Sequence, residues 1–216
     1  MSLNSILTTY LTFGIISYLM GAIPFGFLIS KLKGVDIRNV GSKNIGATNV
    51  FRSVGPIWGI ITFILDFLKG FTPSFCLPLI AQYYYSDIEN IHMEILPIYC
   101  MALAIIGHNW PVFLHFKGGK GVATGIGGLI AIAPLSALVA TAIWTIVFLT
   151  WRYVSLASIS AATATAIFSW VMFAYKKSEL LTSLVLTILC FVVIIKHHAN
   201  IQRLIKGTEL RFGNKN

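Results

Sequence analysis

The sequence predicts an all-α integral membrane protein with seven transmembrane helices, its N-terminus periplasmic and its C-terminus cytoplasmic. Three observations carry that prediction. Apolar residues make up 56% of the 216 and charged residues only 11%, against roughly 25% charged in a soluble domain. Mean hydropathy is +0.81. The Lys and Arg residues fall between long apolar runs. A water-soluble fold of this length has too little interior to hide so much apolar surface, so lipid is the solvent for much of the chain.

The first spanning run covers Ile6 to Ile29 and the second Ile57 to Ile80, the latter carrying Asp66 and Lys69. A third covers Glu94 to Phe116. A long run from Val122 to Thr150 follows, then Val154 to Tyr175 and Leu180 to Ile195. Loop charge sets the orientation. Lys31, Lys33, Arg38, Lys43 and Arg52 crowd the first loop, Lys117 and Lys120 follow the third run, and Lys196, Arg203, Lys206, Arg211 and Lys215 fill the tail. Asp87 and Glu89 mark the loop between runs two and three. The long run of about 29 residues would make a helix of roughly 43 Å, against a hydrocarbon core of about 30 Å. Two passes turning near Pro134 fit better and return the basic tail to the inside, which gives seven spans. Lys176 and Lys177 then lie outside, the one violation of the charge rule. Loops are short and repeats absent, so residues 1–216 read as a single polytopic membrane domain.

The net charge of +9 points to inner-leaflet headgroups and anionic substrates, not to nucleic acid. Cys76, Cys100 and Cys190 lie in or beside apolar runs and read as packing residues. The first run is longer than a signal-peptide core and ends at no small-residue cleavage site, so it stays as a span. No metal-ligand spacing is present: adjacent His197 and His198 point apart on a helix.

Four polar stretches carry chemistry. The loop from Gly41 to Arg52 offers glycines, hydroxyls and amides (Ser42, Asn44, Thr48, Asn49) beside a guanidinium that can fork a phosphate. The plainer reading is a solvated loop obeying the charge rule. The stretch Phe116-Lys117-Gly118-Gly119-Lys120-Gly121-Val122-Ala123-Thr124 opens into an apolar helix. Unpaired N–H groups and the positive helix end gather there, with Lys120 as a point charge. It lacks Walker spacing, and glycine-mediated helix packing is the alternative. Ser155 and Ser158 share a face, as membrane packing serines often do. In the tail His197, Asn200 and Arg203 share one helix face; a basic interfacial helix on anionic lipid is the other reading. Asp66 and Lys69, three apart inside a span, read first as a structural ion pair near its inner end.

Taken in order, these stretches resemble the bacterial acyl-phosphate:glycerol-3-phosphate acyltransferases of the inner membrane. The resemblance runs through Gly21-Ala22-Ile23-Pro24-Phe25-Gly26, Gly41 to Arg52, Asp66-Phe67-Leu68-Lys69-Gly70, His108-Asn109-Trp110-Pro111-Val112-Phe113, Lys117 to Thr124, Tyr153 to Ser158 and His197 to Glu209. It implies a seven-span monomer with its active site facing the cytoplasm. The enzyme would transfer a fatty acyl group from acyl phosphate to the 1-hydroxyl of glycerol 3-phosphate, giving lysophosphatidic acid and phosphate with no acyl-enzyme and no cofactor. Carried over by position, Lys120, His197 and Asn200 match the catalytic set. Ser42, Thr48, Asn49, Arg52 and Ser158 match substrate-binding residues, and Gly118, Gly119 and Gly121 match the phosphate loop. A soluble acyl-phosphate synthase is a candidate partner. Ala22 stands where Ser is commoner, Lys43 where Gly is commoner, and His198-Ala199 where Arg-Glu is commoner. Lys43 matters most, because a turn with positive φ suits Gly and strains Lys.

Acyl phosphate is already activated, so the residues need to supply proximity and charge stabilisation more than a nucleophile. The reading requires the segments carrying Lys120, Arg52 and His197 to converge. An anion transporter would need polar groups along a path through the bilayer, and a lipid-binding scaffold would not need glycines, amides and hydroxyls in three separate loops.

Overall fold

The computed structural model describes residues 3–84 and 95–213. Asp87, Glu89, Glu94 and Lys215, which served the orientation and span arguments, lie outside them. All regular structure among the described residues is helical. The helices are α1 (Leu3–Ala22), α2 (Phe25–Leu32), α3 (Ala47–Ser53), α4 (Pro56–Tyr84), α5 (Leu96–Asn109), α6 (Val122–Ile132), α7 (Pro134–Trp151), α8 (Val154–Ala174), α9 (Leu180–Lys196) and α10 (His198–Ile205). A single 3-10 turn spans Val112–Leu114.

The first apolar run is broken where one helix was expected. Pro24 has no N–H to continue the ladder and its ring crowds the preceding turn, so α1 stops at Ala22 and α2 restarts at Phe25. Together they still make one candidate span, Leu7–Leu32. Four more segments are long and apolar enough to cross a bilayer: Pro56–Tyr84, Leu96–Leu114, Pro134–Trp151 and Val154–Ala174. The pair α9 and α10, bent by 56°, brings the number to six when counted as one span. The long run does divide at Pro134, as length and charge required. Its first part, α6, has only 11 residues, about 16 Å of helix, roughly half the hydrocarbon thickness.

Side-chain polarity is inverted relative to a soluble protein. Leu11, Ile15, Ile64, Leu68, Leu138, Ile146, Ile188 and Phe191 are exposed, while Ser17, Thr62, Ser74, Thr165 and Ser183 are buried. Lipid accepts the apolar faces, and packing in its absence of hydrophobic drive relies on small and hydroxylated residues. Three of these hydroxyls bond carbonyls of their own helices, Ser17 donating to Phe13 O at 2.7 Å, Thr62 to Trp58 O at 2.8 Å and Ser74 to Gly70 O at 2.7 Å, while Ser183 on α9 donates across to Ser169 O on α8 at 2.9 Å.

The chain forms two compact units, Met1–Ile132 and Ala133–Asn216. In the first, α4 packs on α1, α2, α3, α5 and α6. The α4–α6 crossing is tight because Gly70 faces the Thr124 backbone and Gly127 faces the Phe67 backbone; a side chain at either glycine would overlap main chain. In the second, α8 lies between α7 and α9, with α10 against α8 and α9.

Candidate active site

The loop between α2 and α3 is a folded element, not a solvated link. Ile37, Ile45, Val50 and Leu114 form a small buried core beneath it, with Phe27, Val40, Val54 and Trp58 packed around. Basic side chains lie over its aromatic rings: Lys33 Nζ is 3.9 Å from the Trp58 ring centre and the Arg38 guanidinium 4.5 Å from that of Phe27. Arg38 also pairs with Asp36 at 2.7 Å, and that hydrogen-bonded guanidinium holds the Asp36 carboxyl down at about 2.

Asn49 organises this loop from inside. Its side chain is buried, and its amide nitrogen lies 3.2, 3.1 and 2.9 Å from the carbonyls of Ile37, Val40 and Asn44. Its Oδ1 accepts the Ser42 N–H at 3.0 Å and the Ser53 hydroxyl at 3.4 Å. The sequence reads Asn49 as a substrate contact, and the structure shows its amide bonded to the loop backbone. Ser42 and Thr48 are half-buried and Arg52 is exposed in the last turn of α3. Lys43 takes φ +59°, so the turn keeps a left-handed conformation although its residue is poorly suited to it.

The second polar loop folds back on the end of α5. His115 and Phe116, with φ of 52° and 61°, reverse the chain. The Gly119 N–H then donates to the His108 carbonyl at 3.0 Å. Gly119 is required by space: a Cβ there would collide with the His108 imidazole. Gly121 is required by conformation, with φ +78°, and it sits over the Asn109 amide. Helix α6 starts at the next residue, as the sequence predicted. Lys120 is therefore held, half-buried, between two fixed glycines at a helix N-terminus.

Behind this loop lies the buried pair read from the sequence. Lys69 Nζ is 2.9 Å from Asp66 Oδ1, with both side chains under 5% exposed. Lys69 also donates to Ile23 O at 2.7 Å, the carbonyl left at the break between α1 and α2. The pair sits about 15–20 Å from the start of α4. His108, missed as a site residue, places Nδ1 3.7 Å from the same Asp66 oxygen.

The second unit gathers the remaining candidates. His197 stands at the bend between α9 and α10; it is buried, with Nδ1 2.8 Å from Val193 O. Asn200 and Arg203 do share a face, because both donate to Glu209, Asn200 Nδ2 to Oε1 at 2.6 Å and Arg203 Nε to Oε2 at 2.7 Å. Ser155 Oγ donates to the same Oε1 at 2.6 Å. Burial pushes the Glu209 carboxyl up, but these three hydrogen bonds and the Arg203 charge outweigh it and leave the group below its ordinary range. Glu209 was not singled out from the sequence; the signal was an isolated acid in a basic tail. Ser158 donates to Val154 O at 2.8 Å and accepts from Trp144 Nε1 at 3.2 Å, the back-bonded state expected of a membrane serine. Lys120 and Arg52 belong to the first unit, His197 and Asn200 to the second.

The sequence profile of the glycerol-3-phosphate acyltransferases matches residues 11–207. The chain belongs to the glycerol-3-phosphate acyltransferase family. It is 46% identical over 199 residues to the glycerol-3-phosphate acyltransferase of Aquifex aeolicus, covering 92% of this chain and 96% of that one. It is 45% identical over 196 residues to that of Trichlorobacter lovleyi, covering 91% and 94%. Among solved structures it superposes on PlsY, an integral membrane glycerol 3-phosphate acyltransferase, in its glycerol 3-phosphate form. That match has a TM-score of 0.82 at 42% identity, with 94% of this chain and 96% of the other covered. The lysophosphatidic acid form gives 0.79 at 40% identity, covering 94% and 95%. This glycerol-3-phosphate acyltransferase is thus a membrane-embedded acyltransferase of phospholipid synthesis, and the Gly41–Arg52 and Lys117–Thr124 stretches, with His197, Asn200 and Arg203, fall within the matched residues.

Proposed function

We propose that this acyltransferase takes its acyl group from acyl phosphate and passes it directly to the 1-hydroxyl of glycerol 3-phosphate, releasing lysophosphatidic acid and phosphate with no acyl-enzyme. The observation that carries the reading is the Gly118–Gly121 loop, which holds Lys120 at the head of α6 between two glycines fixed by His108 and Asn109. Such a loop aims amide N–H groups and one cation at a departing phosphate and stabilises its growing charge. The hydroxyl attacks the mixed-anhydride carbonyl, the C–O bond to phosphate breaks, and the hydroxyl proton leaves on a phosphate oxygen. Arg52, with Ser42 and Thr48 on the loop that Asn49 braces, is assigned to substrate phosphate. His197 and Asn200 orient the acceptor, and Ser158 lines its approach. The relatives' crystal forms with glycerol 3-phosphate and lysophosphatidic acid support acceptor and product.

The same reading puts seven passes in the inner membrane, with α6 as the short one, the N-terminus periplasmic, and the loops of Arg52 and Lys120 and the basic tail cytoplasmic. The enzyme acts as a monomer and receives acyl phosphate from a soluble synthase. Purified enzyme given synthetic acyl phosphate and glycerol 3-phosphate should form lysophosphatidic acid, and intact-mass measurement with acyl phosphate alone should show no added acyl group. A product formed only from an acyl thioester, or an acylated protein, sinks the reading. Lys120→Ala should abolish transfer in a folded protein. Arg52→Ala removes a charged hydrogen bond of about 1.5–3 kcal/mol and should raise KM for glycerol 3-phosphate about 10- to 100-fold.

A further inference from the structure

The buried charges of α4 lie outside the chemistry assigned so far, yet they lead straight to the phosphate loop. Asp66 Oδ1 is shared between Lys69 Nζ at 2.9 Å and His108 Nδ1 at 3.7 Å, and all three side chains are under 5% exposed. His108 closes the last turn of α5. Its carbonyl receives the Gly119 N–H at 3.0 Å. The far edge of its ring, led by Nε2, fills the space where a Cβ of residue 119 would stand. The imidazole is thus wedged between a carboxylate on α4 and the residue preceding Lys120. Lys69 ties the other end of the chain of contacts to Ile23 O at the α1–α2 break.

Ion pairs buried this deeply are costly unless something else holds them in place, and an apolar pair would have served packing as well. We infer that His108 is a positioning residue for the acyl donor: Asp66 sets the angle of the imidazole, and the imidazole sets the height of the Gly119–Lys120 backbone that meets the donor's phosphate. Asp66 and Lys69 form the anchor of that wedge. His108 acts through the loop and touches no substrate. The inference rests on the acyl-phosphate reading for the identity of the donor, and on the structure for the coupling between ring and loop.

The test is a double-mutant cycle on Gly119 and His108 in purified enzyme. Gly119→Ala drives a methyl group into the ring and should lower kcat/KM for acyl phosphate at least about 30-fold. His108→Ala leaves the loop unsupported and should lower it about tenfold, mainly through KM for the donor, with KM for glycerol 3-phosphate changed less than about twofold. In Gly119→Ala/His108→Ala the new methyl occupies the vacated ring space, so the double variant should be no worse than His108→Ala alone. Losses that multiply, or a donor and acceptor KM that rise together, overturn the inference. His108→Gln, which places a polar tip near the Nε2 position, should retain more donor affinity than His108→Asn, which reaches only as far as Nδ1; the reverse order also overturns it, and this pair serves if the alanine variant does not fold. Wild-type turnover with acyl phosphate tests the donor reading separately, because the cycle is run with whichever acyl donor the wild-type enzyme accepts.

Discussion

Glu209→Gln changes one oxygen for an amino group at the point where the tail meets α8 and α10, and the geometry fixes what that should cost. The wild-type carboxylate accepts three hydrogen bonds, from Ser155 at 2.6 Å, Asn200 at 2.6 Å and Arg203 at 2.7 Å, and is 6% exposed. A glutamine keeps Oε1 for Ser155 and Asn200 but turns an N–H₂ toward the Arg203 donor. Bonds to a charged group contribute about 1.5–3 kcal/mol each. The Arg203 side is 35% exposed, so its share is discounted to about 1 kcal/mol. Weakening the two retained bonds from charged to neutral acceptor removes about 1 kcal/mol more. A loss of about 2 kcal/mol is about a 30-fold rise in tail opening. Two amides report that opening directly: Thr208 N–H on Arg203 O and Phe212 N–H on Arg152 O, both at 2.8 Å. Hydrogen exchange read by mass spectrometry in detergent should show residues 207–212 exchanging about 30-fold faster, with α4 and α5 unchanged. Exchange within twofold of wild type would refute the claim that the carboxylate clasps the tail.

The same clasp should respond to pH: the Glu209 carboxyl lies below its ordinary 4.5, so its contribution is complete above that pH and is lost as pH falls through the folded value. Tail exchange should therefore accelerate below about pH 4.5 beyond the intrinsic rate, and an acid-insensitive tail would count against it. Lys43→Gly should raise the thermal midpoint, because relief of about 1–2 kcal/mol of left-handed strain exceeds the roughly 0.5–1 kcal/mol that glycine loses in flexibility; a lowered midpoint is the contrary result. Lys69→Met should destabilise by about 3–5 kcal/mol by leaving the Asp66 carboxylate without its cation, and adding Asp66→Asn should recover most of the loss; equal midpoints for single and double variants would argue against the pair. Asn49→Asp replaces a donor by an oxygen facing three carbonyls and should unfold the Gly41–Arg52 loop to proteolysis, whereas a mere substrate ligand would alter KM in an intact loop.

How much was legible in the sequence follows from which interactions are local. Helix identity, the break at Pro134 and the start of α6 after Gly121 were readable, because hydropathy over a window and the chemistry of Pro and Gly act on neighbours in the chain. Asp66 and Lys69 were readable as a pair for the same reason, being three apart on one helix. The break at Pro24 was present in the sequence but hidden by a continuous apolar run. His108 and Glu209 were not legible, since each acquires its role from partners distant in the chain: Asp66 lies 42 positions from His108 and Ser155 lies 54 from Glu209. No periodicity records such contacts. Asn49 shows the converse limit. Its residue type announced hydrogen bonding, but only the fold says whether the partners are substrate or backbone.

Asn49, His108 and Glu209 share a physical logic that burial imposes. A side chain shut away from water must find its hydrogen-bond partners in the protein. Hydroxyls meet this demand cheaply by bonding their own helix, as Ser17, Thr62 and Ser74 do. Asn49, His108 and Glu209 instead reach across the chain, and each ends at a loop or bend that carries a candidate substrate group: Ser42 and Arg52, Lys120, and Asn200 respectively. The costly buried polar groups are thus spent on fixing short exposed loops, where a displacement of 1 Å can cost about a hundredfold in rate. Replacing His108 with an apolar residue of equal volume should therefore harm turnover more than it harms folding, the reverse of what a group kept for stability alone would show.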